Sequence, residues 1–257
     1  AFVFVDVSAP SGAMAGETLE LLVWCRSLHD PADATDIQVA TIANRTRNLT
    51  AELSPAVLST APEEGAPFLL TVFNGGNADE AVYFSAGRLP ANWTMVFNES
   101  LLLVGPRSSR AALCTVTPDY MAPAQDHLVF AIVLADALSA ESCATVSVRK
   151  AFRFVMECKE NEKTVPPGEA VQYDVTVMNR GNADDTVLVQ ILDDAPSPAL
   201  NWSAGGPSVH VPVGGRATIP VNLTAAPGAL GGVRGSCRVR GISTGNASFW
   251  RELELGG

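Results

Sequence analysis

The stretch Val72–Val82, VFNGGNADEAV, returns as Val177–Val187, VMNRGNADDTV. Displacing the chain by 105 positions lays Pro62 on Pro167, Glu64 on Glu169, Phe68 on Tyr173, Asn74 on Asn179, and Gly76-Asn77-Ala78-Asp79 on Gly181-Asn182-Ala183-Asp184, without a gap. Farther on, PANWT (Pro90–Thr94) answers PALNWS (Pro198–Ser203). A third, partial copy pairs VDVSAPSGAM (Val5–Met14) with VNLTAAPGAL (Val221–Leu230), again without a gap. Those ten residues belong late in the unit, so residues 1–44 read as the back end of a repeat, followed by two complete repeats at 45–149 and 150–257. A unit of roughly a hundred residues is too long for a solenoid turn and long enough to hold its own core. The chain is expected to be a string of small domains.

The period of the apolar residues says what kind of domain. FLLTVFN, VQYDVTVMN, RATIPVNL, HLVFAIVLAD and GSCRVRGIS alternate or run apolar for five to ten residues and stop at turn formers, which is the pattern of strands. No stretch carries apolar residues at three-and-four spacing behind a helix cap. About seven short strands per hundred residues predict an all-β fold of tandem immunoglobulin-like antiparallel β-sandwiches; a closed barrel is the alternative.

In this frame the repeated phrase is a strand-to-strand turn: Asn bonds nearby backbone and glycine reaches positive φ without steric cost. A second reading makes Asn74, Asn77, Asp79, Asn179, Asn182 and Asp184 oxygen ligands for calcium. One carboxylate per phrase, without the dense acidic spacing of a calcium loop, favours the turn, with Gly76 and Gly181 at its tightest point. No other cofactor is indicated. Trp93 and Trp202 recur at one place in each repeat and are read as core plugs between two sheets, with a sugar-stacking platform as the alternative.

The succession PGE (Pro167–Glu169), alternating strand, N-x-G-N-A-D, P-x-x-N-W and TAAPGA resembles the immunoglobulin-like repeats of bacterial and archaeal surface proteins. These include the domain at the tail of some secreted α-galactosidases and related cell-adhesion repeats. In residues 45–149 the first element is degraded to PEEGAP. The resemblance implies a non-catalytic extracellular spacer, adhesion or envelope module, and no particular ligand.

Composition points outside the cell on separate grounds. The N-x-S/T acceptor pattern occurs at Asn44, Asn48, Asn92, Asn98, Asn201, Asn222 and Asn246, seven of twelve asparagines, where the Ser and Thr content predicts about two by chance. The turn asparagines never form it. These seven are the expected sites of covalent N-glycans. A net charge of −10, with Lys nearly absent, lacks the electrostatic footprint of nucleic-acid or anionic-membrane binding. The longest apolar run, Leu128–Ala135, is a strand's length and far short of the roughly 20 residues of a membrane helix.

The five cysteines are odd in number and not equivalent between repeats. Cys25, Cys114 and Cys237 fall on apolar sides of strands, and Cys158 with Cys237 is the one pair placed to cross-link two sheets. No nucleophile elbow, zinc spacing or phosphate loop occurs, and His29, His127 and His210 are scattered. Neighbouring acids such as Glu63-Glu64 and Asp193-Asp194 read as solvated loop residues.

The expectation is therefore a non-enzymatic segment of an extracellular or cell-surface glycoprotein, a spacer or a component of an envelope or S-layer lattice, whose partners are other surface proteins or copies of itself. Two alternatives stand beside it: an accessory module of a secreted glycoside hydrolase or protease, and a filament subunit exchanging strands with its neighbours. Residues 1–44 should hold three apolar strands, FVFVDVSAP, TLELLVWC and DIQVATIA, that need a second sheet from preceding residues or from a neighbouring molecule.

Overall fold

A computed structural model of the chain describes residues 4–192 and 197–257. The described residues contain no helix and are built mainly from antiparallel strands. β1 (Thr18–Arg26) and β2 (Ala34–Ile42) form a hairpin. Nine strands follow: β3 (Leu49–Ser54), β4 (Val57–Thr60), β5 (Ala66–Asn74), β6 (Glu80–Ala86), β7 (Thr94–Phe97), β8 (Leu101–Val104), β9 (Ser108–Thr117), β10 (Asp126–Ala135) and β11 (Leu138–Val148). Eight more complete the chain: β12 (Phe154–Glu157), β13 (Ala170–Asn179), β14 (Asp185–Leu192), β15 (Leu200–Ala204), β16 (Ser208–Val211), β17 (Arg216–Ala225), β18 (Ser236–Ser243) and β19 (Trp250–Gly256).

The sheets repeat. β3-β5-β9-β7 has the same order as β12-β13-β17-β15, and β8-β6-β10-β11 the same order as β16-β14-β18-β19. β4 adds a parallel edge to β11 that the later copy keeps only as a single parallel bridge between Glu162 and Gly256. Period-two alternation places one face of each strand inside. In β5, Phe68, Leu70 and Val72 are buried while Leu69 and Phe73 are exposed; in β17, Ile219, Val221 and Leu223 are buried. This all-β architecture is consistent at a coarse level with an immunoglobulin-like sandwich.

The chain divides into two compact units, one of residues up to 58 with 65–117 and 127–146, the other of 59–64, 118–126 and 147–257. The core of the first is Phe68, Leu70, Val72, Val82, Val104, Val116, Val129 and Val133. In the second, Tyr173, Phe154, Trp202, Val221, Leu223 and Leu255 pack between the two sheets.

Three expectations need correction. Residues 4–10 are not a strand: they carry no ladder partners and lead to a turn in which the Ala13 amide donates to the Pro10 carbonyl, and Phe4 is 91% exposed. Alternation alone does not make a strand where no neighbouring strand receives its hydrogen bonds. Phe2 and Val3, which begin FVFVDVSAP, lie outside the described residues, as does the Asp193-Asp194 pair. Cys25 lies on the apolar side of β1 but is exposed, because no strand among the described residues covers that side of the hairpin.

No disulfide is present among the described residues, so Cys158 and Cys237 are not joined. Cys158 lies just past the end of β12, where its thiol donates to the Glu160 carbonyl, whereas Cys237 is buried within β18 opposite Leu255. Burial also pushes the Cys114 thiol up to about 11, which keeps it protonated and inert at neutral pH.

Candidate functional site

The repeated phrase occupies the same connection twice, between β5 and β6 and between β13 and β14. Asn74 ends β5 with its side chain fully buried. Its Oδ1 accepts from the Gly76 amide (2.9 Å), and its Nδ2 donates to the carbonyls of Ala78 (2.8 Å) and Val104 (3.0 Å). Asn179 does the same for Gly181 (2.8 Å), Ala183 (2.9 Å) and Val211 (3.0 Å). Each asparagine thus ties a strand end, the turn and the adjoining strand β8 or β16 with one side chain.

The second asparagine reaches outward to the incoming chain. Asn77 Oδ1 accepts from the Thr46 amide (2.7 Å) and its Nδ2 donates to the carbonyls of Asn44 (2.9 Å) and Ala13 (3.3 Å). Asn182 repeats this with the Ala151 amide (2.6 Å) and the carbonyls of Arg149 (3.1 Å) and Ala122 (2.8 Å). Ala13 and Ala122 each close the same turn, their amides donating three residues back, and Ala229 closes a third such turn. The phrase is a clasp for the segment leading into each repeat as well as a strand reversal.

Glycine serves close approach here. Neither Gly76 nor Gly181 has positive φ. A Cβ on Gly76 would stand 2.5 Å from the Thr46 carbonyl oxygen, and one on Gly181 would collide with the Ala151 carbonyl. Gly181→Ala should therefore cost about 1–3 kcal/mol by forcing the clasped segment away. Gly228→Ala, where nothing lies within 4 Å of the added carbon, should change little. Chemical denaturation of both variants checks this; equal stabilities would mean the segment is not held by close packing.

Asp79 and Asp184 are exposed, and Asp184 accepts from the Val213 amide (2.8 Å). The buried acids are the next residues, Glu80 and Asp185, which sequence reasoning did not single out. Glu80 pairs with Arg45 (2.8 Å) and Arg47 (3.5 Å), while Asp185 accepts from the Gly245 amide (3.3 Å). A doubled acid at the start of a strand was their one visible signal. Among the described residues no three His, Cys, Asp or Glu side chains converge as a metal site, and the amide oxygens of Asn74, Asn77, Asn179 and Asn182 all accept from backbone amides.

Trp93 and Trp202 are buried, 7% and 9% exposed, which leaves neither ring as a flat sugar platform. Trp202 packs at 5.6 Å from the Tyr173 ring, and Trp93 at 4.8 Å from His127. The sequon asparagines take the opposite side: Asn44, Asn48, Asn92, Asn98, Asn201 and Asn246 are exposed, and Asn222 is partly exposed between fully buried Val221 and Leu223. His29 and His210 are exposed. Glu63 and Glu64 are loop acids on ion pairs with Arg153 and Arg149. The Ala61 amide, helped by Arg149, holds the Glu64 carboxyl below its usual range.

No family model matches the chain, and no curated protein matches it. Among solved structures it is similar to a protein of unknown function from Porphyromonas gingivalis W83 (17% identity, 80% of this chain and 98% of that one, TM-score 0.30). It is also similar to the N-terminal eight Ig domains of Down syndrome cell adhesion molecule (17% identity, 86% and 28%, TM-score 0.28). A third is an endo-fucoidan hydrolase of glycoside hydrolase family 107 (11% identity, 94% and 33%, TM-score 0.32). Likenesses this distant carry no functional argument.

Proposed function

We propose that the chain is a non-catalytic, extracellular segment of a cell-surface or secreted glycoprotein, built as tandem immunoglobulin-like repeats at 45–149 and 150–257 behind a partial one at 1–44, and that it spaces and displays other parts of the surface. The observation that carries this reading is the partition of the asparagines. The four in the repeated turns are buried, satisfied by backbone and outside any sequon; the seven in sequons all reach solvent. A glycan needs its asparagine on the surface, and all seven sequons meet that requirement. No membrane-spanning helix occurs among the described residues.

The test is peptide mapping of the protein purified from its native source, before and after enzymatic deglycosylation. Sugar is expected on several of Asn44, Asn48, Asn92, Asn98, Asn201, Asn222 and Asn246, and none on Asn74, Asn77, Asn179 or Asn182. A native chain with no sugar at any of the seven overturns the extracellular reading.

The strand-exchange alternative has one observation of its own. Leu19, Leu22, Trp24, Ile37 and Ile42 of the first hairpin are all at least half exposed, more apolar surface than a two-strand unit in water tolerates.

A further inference from the structure

The hairpin β1–β2 is a register-true copy of β18–β19. Val23 opposite Ile37 and Leu21 opposite Val39 become Val239 opposite Leu253 and Cys237 opposite Leu255, every residue displaced by 216 positions. In the later copy Cys237, Val239 and Leu255 are fully buried. In the earlier one Leu21 and Val23 are only half-buried and Ile37 is 62% exposed.

The two hairpins differ in their neighbours. β18 is bonded on its other edge to β14, with Leu192 opposite Arg238 and Val187 opposite Ser243. β10, the matching strand of the middle repeat, is bonded likewise to β6. β1 has β2 on one edge and no strand on the other among the described residues. An open edge of alternating Leu, Val and Trp beside an uncovered apolar face is a template for strand addition.

We propose that the free edge of β1 from Leu22 to Ser27 is a docking site for one antiparallel strand of β14 type, supplied by a further immunoglobulin-like unit. This rests on the reading of residues 1–44 as part of such a unit. Shifting the β14–β18 register by the same 216 positions places the Leu192 equivalent opposite Leu22, the Ile191 equivalent opposite Val23, the Val189 equivalent opposite Cys25 and the Val187 equivalent opposite Ser27. The occupant therefore alternates β-branched residues toward Leu21 and Val23, and a Gly-Asn-x-Asp turn precedes it. It is neither β6 nor β14 of the same molecule: β6 already lies between β8 and β10, and β14 between β16 and β18.

The probe is the synthetic peptide of residues 181–192, GNADDTVLVQIL, added to the whole chain, with a control peptide carrying Pro at the positions of both Leu188 and Val189 so that no register can be completed. Amide exchange is read residue by residue. Exchange at residues 22–27 is expected to slow by at least about tenfold with the peptide and not with the control, while β14 and β18 stay unchanged as an internal reference. Val23→Lys, which charges the covered face, should abolish the slowing. Fast exchange that the peptide does not alter overturns the proposed occupant and leaves the half-unit reading standing. Slow exchange at 22–27 in the dilute chain alone, with a monomer mass, overturns the half-unit reading itself. A dimer that protects 22–27 and is not displaced by the peptide assigns the edge to a second copy and also overturns the proposal.

Discussion

Asn179→Ala should destabilise the last repeat by about 3–5 kcal/mol, because removing one side chain leaves the Gly181 amide and the Ala183 and Val211 carbonyls buried without their partner. Asn179→Asp has nearly the same shape and separates the causes. It keeps the acceptor for Gly181 but turns an ionised oxygen toward two carbonyls, so its folded-state pKa is raised above the unfolded value of about 3.9. Its defect should be smallest below about pH 4, where the protonated carboxyl can donate again, and should grow as the pH rises through the raised folded pKa. Thermal melts of both variants against pH provide the measurement. An alanine variant within about 1 kcal/mol of the parent would show that water replaces the side chain and that the turn is not a tie point.

Trp202→Ala should cost a similar amount, about 3–5 kcal/mol, for a different reason: it empties the space between two sheets where the ring meets Tyr173 and the side chains of β17. Trp202→Phe should cost less, since most of the volume stays. Asn201 is exposed beside it, so removing any sugar carried there should leave this core energetics largely intact. Denaturant midpoints decide the matter, and a loss below about 1 kcal/mol would place the ring outside the energetic core.

Much of this fold was legible in the sequence. The alternation in VQYDVTVMN and RATIPVNL specifies which residues face inward, since a period of two leaves a strand no choice once one face is buried. The repeat at 105 positions lands on equivalent connections because turns of defined geometry admit few residues. What the sequence did not disclose depends on partners far along the chain. That residues 4–10 carry no ladder partner among the described residues cannot be read from their own alternation. Asn77 and Asn182 look like ordinary turn residues until the carbonyls of Ala13 and Ala122, more than fifty residues away, are seen beneath them. The buried acids Glu80 and Asp185 were hidden by neighbours, Asp79 and Asp184, that share their chemistry and differ only in which side of the strand start they occupy. For Cys158 and Cys237, strand positions named the pair, but the location of Cys158 outside β12 is a matter of a single residue.

The central proposal is that the chain is made of separately folded repeats and that its work is to hold distance. Single-molecule extension of the chain between handles at its two ends tests it most directly. Two unfolding events are expected, each releasing about 35 nm of chain, the length of roughly a hundred extended residues. Asn179→Ala should lower the force of one event and leave the other in place. A single cooperative event releasing about twice that length, or one weakened throughout by the substitution, would contradict the account.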